Sequence, residues 1–504
     1  MRVPHLSVAT LGLIAVLAGR TGAQPPIKPK DDRLVIPMTL TPTAVEKPLS
    51  RTYLLPEFRE RIAGNRVQMF LRCFMEQDTF FSREESLKRQ KWSEATIEQL
   101  RSDPRSPPRH EPKKANAEPA DPKDLGLPPL AELRNYGGRL IERDMYDAAR
   151  MSSVDWQLDY FLRRDGVNTL LPDVQKMRSL AQVLQTRVRG EIAARDFPAA
   201  IHTLKTMFAL SQTMEPHPTL IGHLVGIAIG SLAVNALEEM IQEPGCPNMF
   251  WALVDLPLPL LSVRSGVSGE RSWLTVDVED LKNSPDPITD EAINRRLDRL
   301  VNDLQMGGGE PGQNSFLKWL GGPKALLQVR AKDEDEVRGA RARLIKAGLK
   351  PEYVAVWTPL QVIFLDEVMN YEVVRDDMMK WMNLPNWQAV SGLAGAEVEL
   401  KKIQHQSPLF SLLPAISRVR VAYARFDQRF AYLRVIEAIR LHAHENAGKL
   451  PASLADIKLP LPVDPVNGKP FEYSVKDGTA TLHGANPHDN RPETNRYYEI
   501  RIKK

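Results

Sequence analysis

The chain has 504 residues, of which 42% are hydrophobic, with 67 Lys and Arg against 63 Asp and Glu. That length allows about two to four domains, and the apolar content is enough to fill real cores, which excludes wholesale disorder. The near-balance of charge, without a concentrated basic stripe, argues against a nucleic-acid partner.

Residues 1–23 read as a signal peptide. Arg2 supplies the charge, residues 6–19 the short apolar stretch, and Thr21, Gly22 and Ala23 the small-residue exit. A membrane-spanning helix needs about 20 apolar residues, so cleavage near Ala23 and a periplasmic or secreted mature protein are expected, with no stable span left behind. Residues 24–50 read as an extended lead-in. Residues 51–102 read as a short helical segment. Its first helix is expected over 56–77 with Ile62, Val67, Phe70, Leu71 and Phe74 inward, and Ser93 is expected to cap a second helix. Residues 103–129 are rich in Pro, Lys, Asp and Ala and read as a linker, because proline lacks a donor and blocks helix.

Residues 130–260 are expected to form a helical hairpin domain. Pro172 and Asp173 suit a helix start, and Val174, Met177, Ala181, Leu184, Val188 and Ile192 then share one face. Asp196 and Pro198 restart the chain as a second helix lined by Ile201, Leu204 and Phe208. Gly190, Phe197, Ala200 and Ile201 resemble the small and aromatic signature of a tetratricopeptide repeat, with Met207 where that family prefers alanine. The resemblance covers one repeat of about 34 residues and implies paired helices. Residues 220–237 carry no charged side chain, and Gly222, Gly226 and Gly230 form a ridge that lets a neighbouring helix approach. A helix buried in protein is expected there, ended by Pro244 and Gly245. Residues 251–261 read as irregular apolar chain.

Residues 261–413 read as a mixed helical region. Gly307 to Gly309 mark a loop. Asp333 is expected to cap a helix ended by Gly348, and Pro359 to open another with Val362, Leu365, Val368 and Met369 in a stripe. Residues 414–504 read as a long helix, with Tyr432, Val435, Ile436, Ile439 and Ala443 on its apolar face, followed by a β-hairpin. The strands are residues 472–475 and 479–483, turned by Asp477-Gly478. Gly448, Pro451, Asp464, Pro465, Gly468, Pro470 and Tyr473 are similar in type and order to the globular module of the type II secretion major pseudopilin. The resemblance covers about the last eighty residues and implies a small sheet packed on the helix, in which Phe471, Tyr473, Val475 and Leu482 cover the stripe. The fold class expected for the whole is mainly α, with tetratricopeptide-like hairpins followed by this α+β module.

No catalytic, cofactor-binding or metal-binding residue stands out. His442, His444 and Glu445 lack the i, i+4 spacing of a zinc helix. His217 and His223 read as core histidines. His483 and His488 have no nucleophile beside them. Gly321-Gly322-Pro323-Lys324 and Gly307 to Gly312 lack phosphate-loop spacing, and Ser265 and Ser391 lack the glycines of a nucleophile elbow. The acidic run from Asp333 to Glu336 suits a helix start. Cys73 and Cys246 are the two cysteines, and the sequence leaves open whether they pair. The function expected is an exported helical scaffold or binding protein, with another envelope protein as partner. The alternatives are an envelope hydrolase whose site is assembled from distant residues, and an accessory of a secretion or pilus-like system.

Overall fold

The computed structural model describes residues 33–47, 52–74, 80–101, 126–165, 169, 171–276, 278–306, 323–403, 409–410, 413, 415–487 and 492–503. The expected signal peptide, residues 103–125 of the proline-rich stretch, Gly307 to Gly312 and His488 lie outside these residues.

Helices dominate, and a small sheet closes the C-terminal end. The helices that build the core are α1 (Pro172–Ala193), α2 (Phe197–Gln212), α3 (Leu220–Met240), α4 (Arg264–Val276), α5 (Pro359–Met379), α6 (Asn386–Ile403) and α7 (Ala415–Glu445). Proline in the first turn opens α1 and α2, and the Asp196 side chain accepts from the Ala199 N–H, which satisfies one of the free donors at the helix start. The expected stripe of α1 is buried along its whole length. Gly190 is small for a different neighbour than the partner helix: a Cβ there would lie 2.5 Å from the Leu133 carbonyl carbon, on the helix Leu130–Arg134.

Helix α3 is long and apolar enough to cross a membrane, yet 78% of its apolar window is buried inside the protein. Its glycine ridge receives side chains rather than another backbone. The Phe426 ring of α7 occupies the space a Gly230 side chain would need, and Met214 lies against Gly226. Helix α7 spans 31 residues and buries Tyr432, Val435, Ile436, Ile439 and Ala443, the stripe read from sequence.

Strands β1 (Leu34–Leu40), β4 (Glu472–Lys476), β5 (Thr479–His483) and β6 (Arg496–Ile502) form one sheet in the order β1-β6-β5-β4. The β4–β5 hairpin turns at Asp477 and Gly478, both at positive φ, as that dipeptide allows. The sheet is larger than the hairpin expected. β6 pairs antiparallel with β5, and β1, within the lead-in, pairs parallel with β6 from Leu34↔Arg496 to Leu40↔Ile502. Ile36, Met38, Leu40, Leu482, Tyr498 and Ile500 point into the core. Val475, expected to cover α7, is instead 40% exposed on the edge strand β4, while Phe471 and Tyr498 meet the Tyr432 ring at 4.7 and 4.9 Å.

Other local expectations change for identifiable reasons. Ile62 lies in a short strand, β2 (Ile62–Asn65), which pairs with β3 (Met151–Ser153). Asn65 then caps the helix Arg66–Arg72. Ser93 ends the helix Arg83–Trp92, and the next helix is capped by Thr96, which accepts from the Gln99 N–H and donates its own N–H to the Gln99 side chain. The apolar stretch after Met249 includes a helical turn, Phe250–Asp255, because Glu437 of α7 accepts the Met249 N–H at its start.

Arg440 fastens this end together. It has no exposed surface and donates to Thr41 O at 2.9 Å, Thr43 Oγ1 at 2.9 Å, Pro247 O at 3.2 Å, the Cys246 carbonyl, and Glu437 at 3.1 Å. It therefore joins the end of β1, the 246–247 turn and α7. Arg440→Met strands the buried Glu437 charge and is expected to cost about 3–5 kcal/mol. Arg440→Met with Glu437→Leu removes both charges and is expected to recover at least about 1 kcal/mol of that loss. Urea midpoints of the wild type and both variants check this.

Candidate functional site

Residues far apart in sequence meet at the junction of α3, α4 and α7. Thr219 caps α3 by accepting from the Gly222 N–H at 3.2 Å, and His217 and His223 flank that cap. Helix α4 reaches them because two of its residues are glycines. A Cβ on Gly266 would lie 2.9 Å from the His223 ring, and one on Gly269 would overlap the Pro218 carbonyl. Helix α7 contributes Tyr423.

The hydrogen bonds select one tautomer for each ring. His223 Nε2 lies 2.9 Å from the His217 carbonyl, which can only accept, so Nε2 carries the proton. Nδ1 then accepts from the Tyr423 hydroxyl. Ser265 Oγ sits 3.1 Å from the same Nε2 and donates its proton to the Glu215 carbonyl. His217 Nδ1 accepts from the Thr219 N–H at 3.2 Å and faces the Thr219 hydroxyl at 3.1 Å, and the ring packs edge-on to Trp156 at 4.7 Å. Burial pushes His217 down to about 3 and His223 down to about 4, so both rings are neutral at physiological pH.

A serine 3.1 Å from an imidazole has the spacing of a nucleophile and base, but the proton positions are reversed. A general base needs a free lone pair aimed at the hydroxyl, whereas Nε2–H points at a carbonyl and the serine proton points elsewhere. The arrangement holds three helices together through neutral hydrogen bonds.

A second polar centre lies under the C-terminal loop. Asp464 is buried and accepts from Val466 N at 2.9 Å, Ala485 N at 2.6 Å and Gln428 Nε2 at 3.0 and 3.1 Å. Burial raises its pKa, and those donors pull against the shift. Both carboxylate oxygens already face N–H groups, so the site suits a loop anchor and not a cation. Gly484 leaves the room this requires, since a Cβ there would lie 2.5 Å from Asp464 Oδ2.

The remaining candidates are placed apart. His442 is half-buried at the end of α7, beside exposed His444 and Glu445. Among the described residues no three His, Cys, Asp or Glu are grouped to hold a metal. Asp333 accepts from the Asp335 and Glu336 N–H groups, so the acidic run serves its helix start. His483 pairs across the hairpin with Glu472 at 3.2 Å and packs on Tyr497 at 4.3 Å. Ser391 is exposed on α6. Lys324 pairs with Asp298 at 2.7 Å. Cys73 and Cys246 are buried and unbridged, and burial pushes the Cys246 thiol up to about 12, which keeps it protonated and inert. A cleft of about 160 Å³ is lined by Met69, Arg72, Cys73, Arg143, Asp144 and Asp147. Arg143 is paired with Asp144 at 2.9 Å, and Asp147 with Arg150 at 3.1 Å.

Sequence reasoning missed Asp427. It follows Tyr423 by one turn of α7, and its Oδ1 is shut off from solvent without a hydrogen-bond partner. Burial pushes it up to about 7, against the pull of Arg420. It also missed the buried ion pairs: Arg189 with Glu239 at 2.8 Å, Arg187 with Glu191 at 2.6 Å, and Arg429 with Glu238 at 2.9 Å. Compared with protein-family models, with curated proteins and with solved structures, the chain matches none of them.

Asp464→Asn turns an NH₂ group toward N–H donors and is expected to cost about 2–4 kcal/mol. Gly484→Ala displaces the same carboxylate, and its urea midpoint should fall with that of Asp464→Asn. For Asp427 the folded pKa lies above the unfolded value of 3.8, so its contribution is fully present below about 4 and lost as pH rises through 7. Asp427→Asn should therefore gain thermal stability relative to wild type between pH 5 and pH 8. A constant difference in thermal midpoint across that range would refute the assignment.

Proposed function

We propose that the chain is an exported helical scaffold or binding protein whose C-terminal end is a pseudopilin-like module, preceded by a tetratricopeptide-like helix pair. The observation that carries the reading is the 2.9 Å approach of His223 Nε2 to the His217 carbonyl, an acceptor that requires the Nε2 proton. That proton is committed to the carbonyl, which supports a packing role for the serine–imidazole pair at the junction over proton abstraction. The buried Asp464 likewise has its oxygens committed to the loop it anchors.

A binding role is further supported by apolar side chains left on the surface. Tyr160 and Phe161 are 64% and 42% exposed on the helix Asp159–Asp165, with Arg164 stacked over both rings. Trp387 on α6 and Val463, next to the Asp464 loop, are 46% and 50% exposed. Aromatic side chains of this kind are enriched where proteins bind one another. The partner expected is another envelope protein.

The hydrolase reading is favoured by the 3.1 Å approach of Ser265 to His223, and one experiment separates the two. Full-length protein and Ser265→Ala are incubated with a fluorophosphonate probe, which labels activated serines. Equal, background labelling of both is expected. Labelling of the wild type that disappears in Ser265→Ala would establish a hydrolase instead. Cross-linking in native envelopes should then trap a partner in wild type at least about tenfold better than in Trp387→Ala with Tyr160→Ala, a loss of about 1.4 kcal/mol.

A further inference from the structure

The junction of α3, α4 and α7 contains two imidazoles without exposed surface, and each uses a ring nitrogen as an acceptor. His223 Nδ1 accepts from the Tyr423 hydroxyl, and His217 Nδ1 from the Thr219 N–H. A second proton on His217 sets Nδ1–H against the Thr219 N–H, and one on His223 makes the Tyr423 hydroxyl give up its donation and turn to accept, which leaves its own buried proton without that partner. The atoms bonded to the two rings are a carbonyl, hydroxyl groups and a backbone N–H. The rings also lie at the N-terminus of α3, where the helix dipole opposes added positive charge.

Among the described residues, none of the hydrogen bonds of the two rings goes to a carboxylate, although the Glu215 carboxyl acts on Tyr423 beside them. Residues 220–237 of α3 carry no charge. The preceding turn brings Glu215, whose carbonyl holds Ser265. Helix α4 brings Glu270, whose Oε1 accepts the Leu220 N–H at 3.0 Å. Helix α7 brings Tyr423, with Arg420 and Asp427 beyond it, and the segment before α1 brings the Trp156 ring. The seating is tight, because Gly266 and Gly269 press the α4 backbone against His223 and Pro218. A ring that turns to find a new acceptor must therefore push α4 away.

We propose that this junction is an acid-operated latch, in which protonation of His217 and His223 releases the start of α3 from α4 and α7 while the rest of the fold stays closed. The folded-state values near 3 and 4 lie below the ordinary 6.5 of the released rings. The latch is thus fully closed above pH 6.5 and weakens as pH falls toward 4. Asp427 acts with the opposite sign: it gains its proton near 7, which removes a buried charge from α7 over the same window and keeps that helix seated.

Hydrogen exchange of the full-length protein, followed by mass spectrometry between pH 7.5 and pH 5 and divided by intrinsic rates, tests the latch. Amides of residues 217–226 and 264–270 are expected to lose protection while those of 430–441 in α7 keep theirs. Two protons are taken up per opening, so the local opening constant should rise about 100-fold per pH unit below about 6.5. In His217→Gln the side-chain oxygen still accepts from Thr219 but takes no proton, and the dependence should fall to about 10-fold per unit. His223→Gln should behave alike, and if it does not fold, His217→Gln carries the test alone. Protection that is independent of pH, a slope unchanged in the variants, or simultaneous loss over residues 430–441 would overturn the proposal.

Discussion

An ion cannot be taken out of water unless the protein surrounds it with groups that replace the water, and this requirement organises the molecule. Each buried charge left alone costs several kcal/mol. Arg440 and Glu437 have no exposed surface, and each is satisfied by atoms from elsewhere in the chain: the end of β1, the 246–247 turn and the Met249 N–H. The same holds along α3. Glu239 takes Arg189 from α1, which also reaches the carbonyls of Trp92 and Ser93, while Glu238 takes Arg429 from α7 and the Tyr498 hydroxyl from β6. Arg429 and Arg496 hold the Glu238 carboxyl below its usual value despite burial. Apolar stripes bring the helices together, and these carboxylates determine which partner and which register satisfy them. Hydrophobic contact alone tolerates sliding by a turn, whereas a buried guanidinium with four or more acceptors does not.

The junction around His223 solves the same problem without charge. Its members are neutral and bonded to one another in a chain running from Tyr423 through the imidazole to a carbonyl. The ion pairs on the α1 and α7 sides are held by Coulombic attraction and multiple donors, and they resist changes in solution conditions around neutral pH. The neutral chain depends on where single protons sit. Two kinds of polar contact thus divide α3: the permanent fastening lies at its C-terminal end, at Glu238 and Glu239, and the protonation-dependent one at its N-terminal end.

The helices were largely readable because their signals are local. Asp196 and Asp333 cap where expected, and Asp477-Gly478 turns the hairpin. What escaped was non-local or exceptional. The alternation in residues 496–502 was a usable strand signal, and Ile36, Met38 and Leu40 alternate too, but Pro37 interrupts them and the partner strand lies at the far end of the chain. A proline is tolerated there because β1 is an edge strand. Glu191 and Arg440 sit seven residues beyond the buried Leu184 and Leu433, in phase with the apolar faces of α1 and α7, a spacing that sequence reasoning did not use. Ser265, His217 and His223 were each visible as residue types. Their meeting depends on the close approach that Gly266 and Gly269 allow between segments about 45 residues apart, a tertiary fact that periodicity does not encode.

The pairing of β1 with β6 makes the beginning and the end of the described chain neighbours, and this sets a condition on biogenesis. At synthesis rates of about 5–20 residues per second, β1 emerges about 20–90 s before the strand it needs. Over that interval Ile36, Met38 and Leu40 have no permanent place to go. The sheet is completed only after residues 496–502 have been made, and Arg440 can bind Thr41 only once α7 has arrived. A chain cut short between residues 484 and 495 leaves both β1 and β5 with unpaired edges, which are templates for association with other chains. Pairing of the β1 and β5 edges is therefore conditional on the arrival of residues 496–502, the one strand that fits between them.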